Sequence, residues 1–178
     1  MKTLYLLRHA KAERDSASGE DFDRPLDARG RRDSERMGRF LAERDWKPAI
    51  VVYSPAARTQ QTTEKVIGSW AKPPRTRAEA QLYLAESDRI AASVKTLGDQ
   101  FASAMIVGHN PGIETLAEAL GEHGDKAARK ALDTGYPTCA LAVIELDIDH
   151  WADLSSKSAR IVGFYVAKTL DAESEPED

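Results

Sequence analysis

Four residues hold most of the chemistry this sequence can offer: Arg8 and His9, side by side near the start, then Arg58, then His109. Two arginines and two histidines make a poor metal site, because guanidinium groups do not ligate and their charge opposes a cation. They make a good site for an oxyanion. Arginine offers a planar fork of donors that fits phosphate oxygens in pairs, and a neutral imidazole can donate a hydrogen bond or attack as a nucleophile. Phosphoryl transfer is the chemistry this combination serves.

These residues can act together only if the elements carrying them end at one place. Thr3 to Leu7 is a short apolar run that stops at Arg8-His9, as a buried strand would. Ile50 to Tyr53 reads as a second strand, leading through Ser54-Pro55-Ala56-Ala57 to Arg58, and Ala104 to Val107 as a third, ending in Gly108-His109-Asn110-Pro111. Between them lie helical patterns at about 28–44, 58–70 and 88–97, the last with Ser87 as its expected cap. Shorter helices are expected at 113–120 and 126–132, and paired strands at 139–146 and 161–166. This alternation predicts an α/β fold, a three-layer sandwich whose mostly parallel central sheet is flanked by helices. In such sheets ligands sit beyond the carboxyl ends of the strands, where all four residues fall.

The three strand ends carry a family resemblance. Leu7-Arg8-His9-Ala10 resembles the Arg-His-Gly signature of the histidine phosphatase, or phosphoglycerate-mutase-like, superfamily. Ser54 to Thr62 is similar to its Ser-x-x-x-Arg-x-x-x-Thr signature, and Val107 to Pro111 to its third motif. With the intervening Asp23-Arg24-Pro25-Leu26 and Leu82-Tyr83 segments, the order most resembles the short SixA-type phosphohistidine phosphatases, over roughly residues 1–166. Ala10 departs from the usual glycine, and the SixA-like branch is similar there.

The resemblance implies a hydrolase needing no metal and no cofactor, in which His9 is the nucleophile and becomes a transient phosphohistidine that water then hydrolyses, while Arg8, Arg58 and His109 bind the phosphate. Its substrate would be a phosphorylated protein, one carrying phosphohistidine included, or a small phosphoester. A mutase is an alternative within enzymes, and a noncatalytic phosphate-binding module one outside them. Relatives use a carboxylic acid to protonate the leaving group, and Glu86 is the nearest candidate, with Glu79 weaker. Asp23 and Arg24 read as a salt-bridged loop anchor, and Asn110 as either an orienting residue or a helix cap.

Composition is consistent with one soluble domain over 1–170 and an acidic tail, 171–178, expected to be disordered. The 178 residues are 42% hydrophobic and 30% charged, and a net charge of −4 gives no general attraction to nucleic acid or an anionic membrane. The arginines at 29, 31, 32, 36 and 39 alternate with acids and read as a solvated helix face. One cysteine, Cys139, precludes an intramolecular disulfide and reads as a small buried hydrophobe. No apolar run is long enough for a signal or a span, so a cytoplasmic location is expected.

Overall fold

The computed structural model describes residues 1–173. The first strand, β1 (Lys2–Arg8), is buried on both faces: Leu4 and Leu6 enter one apolar cluster, Tyr5 and Leu7 another. That two-sided burial makes it a central strand, since alternate side chains of a strand point to opposite faces. The others are β2 (Ile50–Tyr53), β3 (Arg75–Ala78), β4 (Ser103–Gly108), β5 (Ala140–Leu146) and β6 (Ala159–Val166), in the order β3-β2-β4-β1-β5-β6. Pairing is parallel from β3 through to β1 and antiparallel for β1 with β5 and β5 with β6.

Helices α1 (Ala28–Glu43) and α2 (Ala57–Ile67) cover the Tyr5–Leu7 face. On the Leu4–Leu6 face lie α3 (Ser87–Lys95), α4 (Gly112–Leu120) and α5 (Lys126–Leu132). The fold is the expected three-layer α/β sandwich. Asp27 caps α1 by accepting from Gly30 N, and Asp125 caps α5 by accepting from Ala128 N.

Several local expectations change. Ser87 is the first residue of α3 and not its cap; Glu86 holds the cap position, with no side-chain cap bond. Pro111 precedes α4, and Asn110 does not cap it: its side-chain amide donates to Glu114 and to the Tyr136 carbonyl. Strand β3 was invisible in the sequence because Arg75-Thr76-Arg77-Ala78 is exposed throughout and shows no apolar alternation. The chain continues from β6 into a 3-10 helix, Ala167–Glu173, which enters the segment expected to be a disordered tail; the rest of that tail, 174–178, lies outside the described residues. No helix among the described residues is long and apolar enough to cross a membrane.

Because β1, β2 and β4 are parallel, their carboxyl ends share one rim. Register brings Arg8 beside Gly108 and Tyr53 beside Val107, so the residues that follow each strand emerge as neighbours.

Candidate active site

His9 is fixed at both ends of its own peptide unit: its N–H donates to the Gly108 carbonyl at 3.0 Å, and its carbonyl accepts from Cys139 N at 3.1 Å. Cys139 reaches that position with a φ of 56°, in the left-handed region. The imidazole of His9 is 8% exposed, and its Nδ1 lies 2.7 Å from the Ala10 carbonyl. A carbonyl can only accept, so Nδ1 carries the proton and Nε2 keeps its lone pair. Burial, opposed by that hydrogen bond and reinforced by the charges of Arg58, Arg8 and Arg24, lowers the His9 pKa to about 4. At neutral pH the ring is therefore uncharged, with Nε2 free for attack.

The second motif grips the first. Ala10 N donates to the Thr62 hydroxyl at 3.0 Å, and that hydroxyl donates to the Arg58 carbonyl one turn back along α2 at 2.6 Å. The spacing of four between Arg58 and Thr62 thus has a physical purpose, since residues four apart share a helix face. Arg58 is 3% exposed, donating through Nη1 to the Asp21 carbonyl at 2.8 Å and through Nη2 to the Asp21 carboxylate at 3.0 Å.

His109 is 2% exposed, and its ring centroid lies 5.4 Å from that of His9. Its Nε2 is 2.8 Å from the Ser54 hydroxyl, which also accepts from Ala56 N at 3.4 Å. The hydroxyl has one proton and two lone pairs, so the proton of the Ser54–His109 bond sits on Ser54 in one neutral tautomer of the ring and on Nε2 in the other. Burial first, then the neighbouring His9 and Arg58, lowers the His109 pKa to about 3, so this ring is also neutral. Arg8 donates through Nη1 to the Tyr136 carbonyl at 2.9 Å. Burial lowers its pKa, Glu114 opposes that shift, and Arg58 adds to it.

Three polar atoms of this group are buried with no hydrogen-bond partner among the described residues: Nε of Arg8, Nε of Arg58 and Nδ1 of His109. Buried donors left unpaired are costly, and the two guanidinium Nε groups are donors in either tautomer of His109. Of the four residues, Arg8 alone also lines a cavity of about 720 Å³ with Asn110, Glu114, Tyr136, Phe164 and Lys168. Among the described residues no three His, Cys, Asp or Glu side chains form a metal-ligating group.

Glu86 makes no side-chain hydrogen bond to any of the four. It is exposed and lines a surface cavity of about 260 Å³ with Tyr83, Asp88 and Arg89. Glu79 accepts from Ser93 and pairs with Arg77. The carboxylate set against the site is Asp21, in a 3-10 turn (Asp21–Asp23), where it binds Arg58 and accepts from the Tyr83 hydroxyl at 2.6 Å. The Tyr83 hydrogen bond and Arg58 hold its pKa below the ordinary value; the same hydrogen bond raises that of Tyr83. The loop anchor is thus Arg24 with Asp21, at 3.1 Å, while Asp23 accepts from Ser18. Nothing in the sequence distinguished Asp21 from its acidic neighbours Glu20 and Asp23. Ser54, in contrast, stands in the motif that carried the resemblance.

An α/β sandwich with a cationic, imidazole-bearing cradle at the carboxyl rim is a phosphoryl-transfer architecture, and comparison with known proteins gives it a family. Residues 4–81 match the model of the histidine phosphatase superfamily (branch 1). An uncharacterised protein of Mycobacterium tuberculosis is 32% identical over 166 residues, covering 91% of this chain and all of the relative. A solved structure assigned as phosphohistidine phosphatase SixA from Agrobacterium tumefaciens is 30% identical, covers 93% of this chain and 97% of its own, and superposes with a TM-score of 0.76. One assigned likewise from Nakamurella multipartitia is 27% identical, covers 92% and 95%, and gives 0.80. The chain belongs to the histidine phosphatase superfamily and is a phosphatase of the SixA-like kind.

Proposed function

We propose that the protein hydrolyses phosphohistidine on a protein substrate, without a metal, through a phosphohistidine intermediate on His9. The observation that carries the reading is the His9 ring: neutral, its proton committed to Ala10, its Nε2 lone pair free, and three arginine charges acting on it. Nε2 attacks phosphorus in line, forming an N–P bond as the bond to the leaving group breaks. Water then attacks the same phosphorus, the N–P bond to His9 breaks, and inorganic phosphate leaves.

Arg8, Arg58 and His109 Nδ1 hold the equatorial oxygens and neutralise the charge gathering there, the main protein contribution to such a transfer. Phosphate takes its bonds from the arginine forks, competing with Asp21 for that of Arg58, and in this reading His109 carries its proton on Nδ1. An imidazole leaving group makes less demand on an enzyme acid than an alkoxide does. That suits a site in which Glu86 is exposed and Asp21 is ionised. We assign Glu86 at most an auxiliary role in protonating ester leaving groups.

The test is hydrolysis of p-nitrophenyl phosphate and of a histidine-phosphorylated protein in excess EDTA. The expected outcome is turnover of both by the native protein and a loss of about 10³-fold or more for His9→Ala. Activity that vanishes with EDTA and returns with a divalent cation would overturn the metal-independent scheme.

A further inference from the structure

The large apolar side chains exposed among the described residues are Met1, Phe22 and Leu84. Met1 lies at the amino end of β1, the rim opposite the site. The other two come from segments some sixty residues apart that Tyr83 ties to the site, its ring touching both Phe22 and His109. Phe22 is the middle residue of the turn whose Asp21 binds Arg58, and it is 37% exposed. Leu84 is 54% exposed and follows Tyr83, whose hydroxyl holds Asp21 and whose ring stands edge-on to His109 at 5.5 Å. The Phe22 and Tyr83 rings are themselves in edge-to-face contact, centroids 5.0 Å apart.

A single exposed leucine needs no explanation. Leu84 departs from the norm twice, however, because its φ of 50° places it in the left-handed region that favours glycine or asparagine. A conformation unfavourable for leucine holds an apolar side chain out in water beside the site, and such departures cluster where a segment has a function. Glu20 and Asp23 flank Phe22 in the chain and Glu86 and Asp88 follow Leu84, all exposed, with Arg24 and Arg89 in the same segments, so the two apolar side chains stand in charged surroundings, as docking patches do.

We propose that Phe22 and Leu84 form a lip on which a polypeptide substrate lays an apolar side chain next to its phosphorylated histidine. The proposal rests on the phosphohistidine reading above and names what that site selects. A sugar or glycerate phosphate is polar beyond its phosphate and gains nothing from a phenyl ring and an isobutyl group. An anionic lipid surface meets more acids than arginines in these two segments, Arg24 and Arg89 included, and is disfavoured. A polypeptide with an apolar side chain near its phosphohistidine satisfies both the pocket and the lip.

The experiment uses two phosphohistidine peptides of equal length, one with leucines flanking the phosphohistidine at helical spacing and one with serines there. The ratio of their kcat/KM values is internal to each protein, so a general loss of catalysis leaves it unchanged. For the native protein the ratio is expected to be about 10 in favour of leucine, expressed mainly in KM, the scale of one partly buried leucine. Phe22→Ser is expected to bring it below about 3. Leu84→Asn, which keeps a residue suited to the left-handed backbone, should do the same. A native ratio near one, or a ratio that survives both substitutions, overturns the lip. Native protein that cleaves p-nitrophenyl phosphate and neither peptide overturns the phosphohistidine reading and the lip with it, an outcome distinct from unselective peptide cleavage.

Discussion

At the scale of single residues the account turns on protonation. An ordinary histidine titrates near 6.5, whereas His9 and His109 are lowered to about 4 and about 3 by burial and by neighbouring cations. Nitrogen-resolved NMR should find both rings neutral at pH 7, His9 with its proton on Nδ1, and neither charging until the pH falls well below 6. The sign for stability follows. The unfolded chain binds these protons from about pH 6.5 downward and the folded chain does not, so each ring costs stability progressively as pH falls from 6.5 towards 4. His9→Gln, which does not titrate, should weaken the fall of Tm over that window; an unchanged Tm profile would contradict the depressed value. Glu86 supplies the contrasting case: with its side chain exposed at the start of α3, Glu86→Gln should change kcat on p-nitrophenyl phosphate by less than about threefold. A loss near 100-fold, within the range of a general acid, would make Glu86 the proton donor.

At the scale of elements, close approach of backbone does much of the positioning. A Cβ on Gly38, in α1, would collide with the Val66 carbonyl of α2, and one on Gly112, at the start of α4, with the Ala85 carbonyl. Gly112 stands next to the His109 loop, and Ala85 follows the Tyr83–Leu84 segment. Gly112→Ala should therefore lower both Tm and the kcat/KM for phosphohistidine peptides, while Gly38→Ala, which presses on the last turn of α2 at Val66 and not on the first turn that carries Arg58, should act chiefly on Tm. Overpacking of this kind typically costs about 1–3 kcal/mol. The strands that bury apolar residues on two faces were legible in the sequence, because β1, β2 and β4 are continuous apolar runs that stop abruptly at polar residues. Strand β3 was not: an exposed edge strand held by pairing with β2 alone leaves no hydrophobic pattern to read. The same distinction runs through the site. Arg8, His9, Arg58 and His109 follow strand ends and could be located by that logic, whereas Asp21 and Tyr83 come from connections whose path depends on tertiary contact.

For the whole molecule, the sheet order and the chemistry are one arrangement. Three parallel strands deliver their following residues to a single rim, and antiparallel β5 begins at that rim, so that Cys139 can hold the carbonyl of His9. The result is a buried cradle with unpaired donors, a neutral His9 ring that we propose as the nucleophile and the proposed apolar lip outside it, in a fold shared with structures assigned as SixA phosphatases. The most direct test of the central claim is a single turnover with excess protein over labelled phosphohistidine peptide, quenched in alkali, in which phosphohistidine survives, and mapped by mass spectrometry. The account predicts a transient phosphoryl group on the peptide containing His9, rising and decaying as inorganic phosphate appears. Label on any other residue, or turnover by His9→Ala at a rate near that of the native protein, would contradict it.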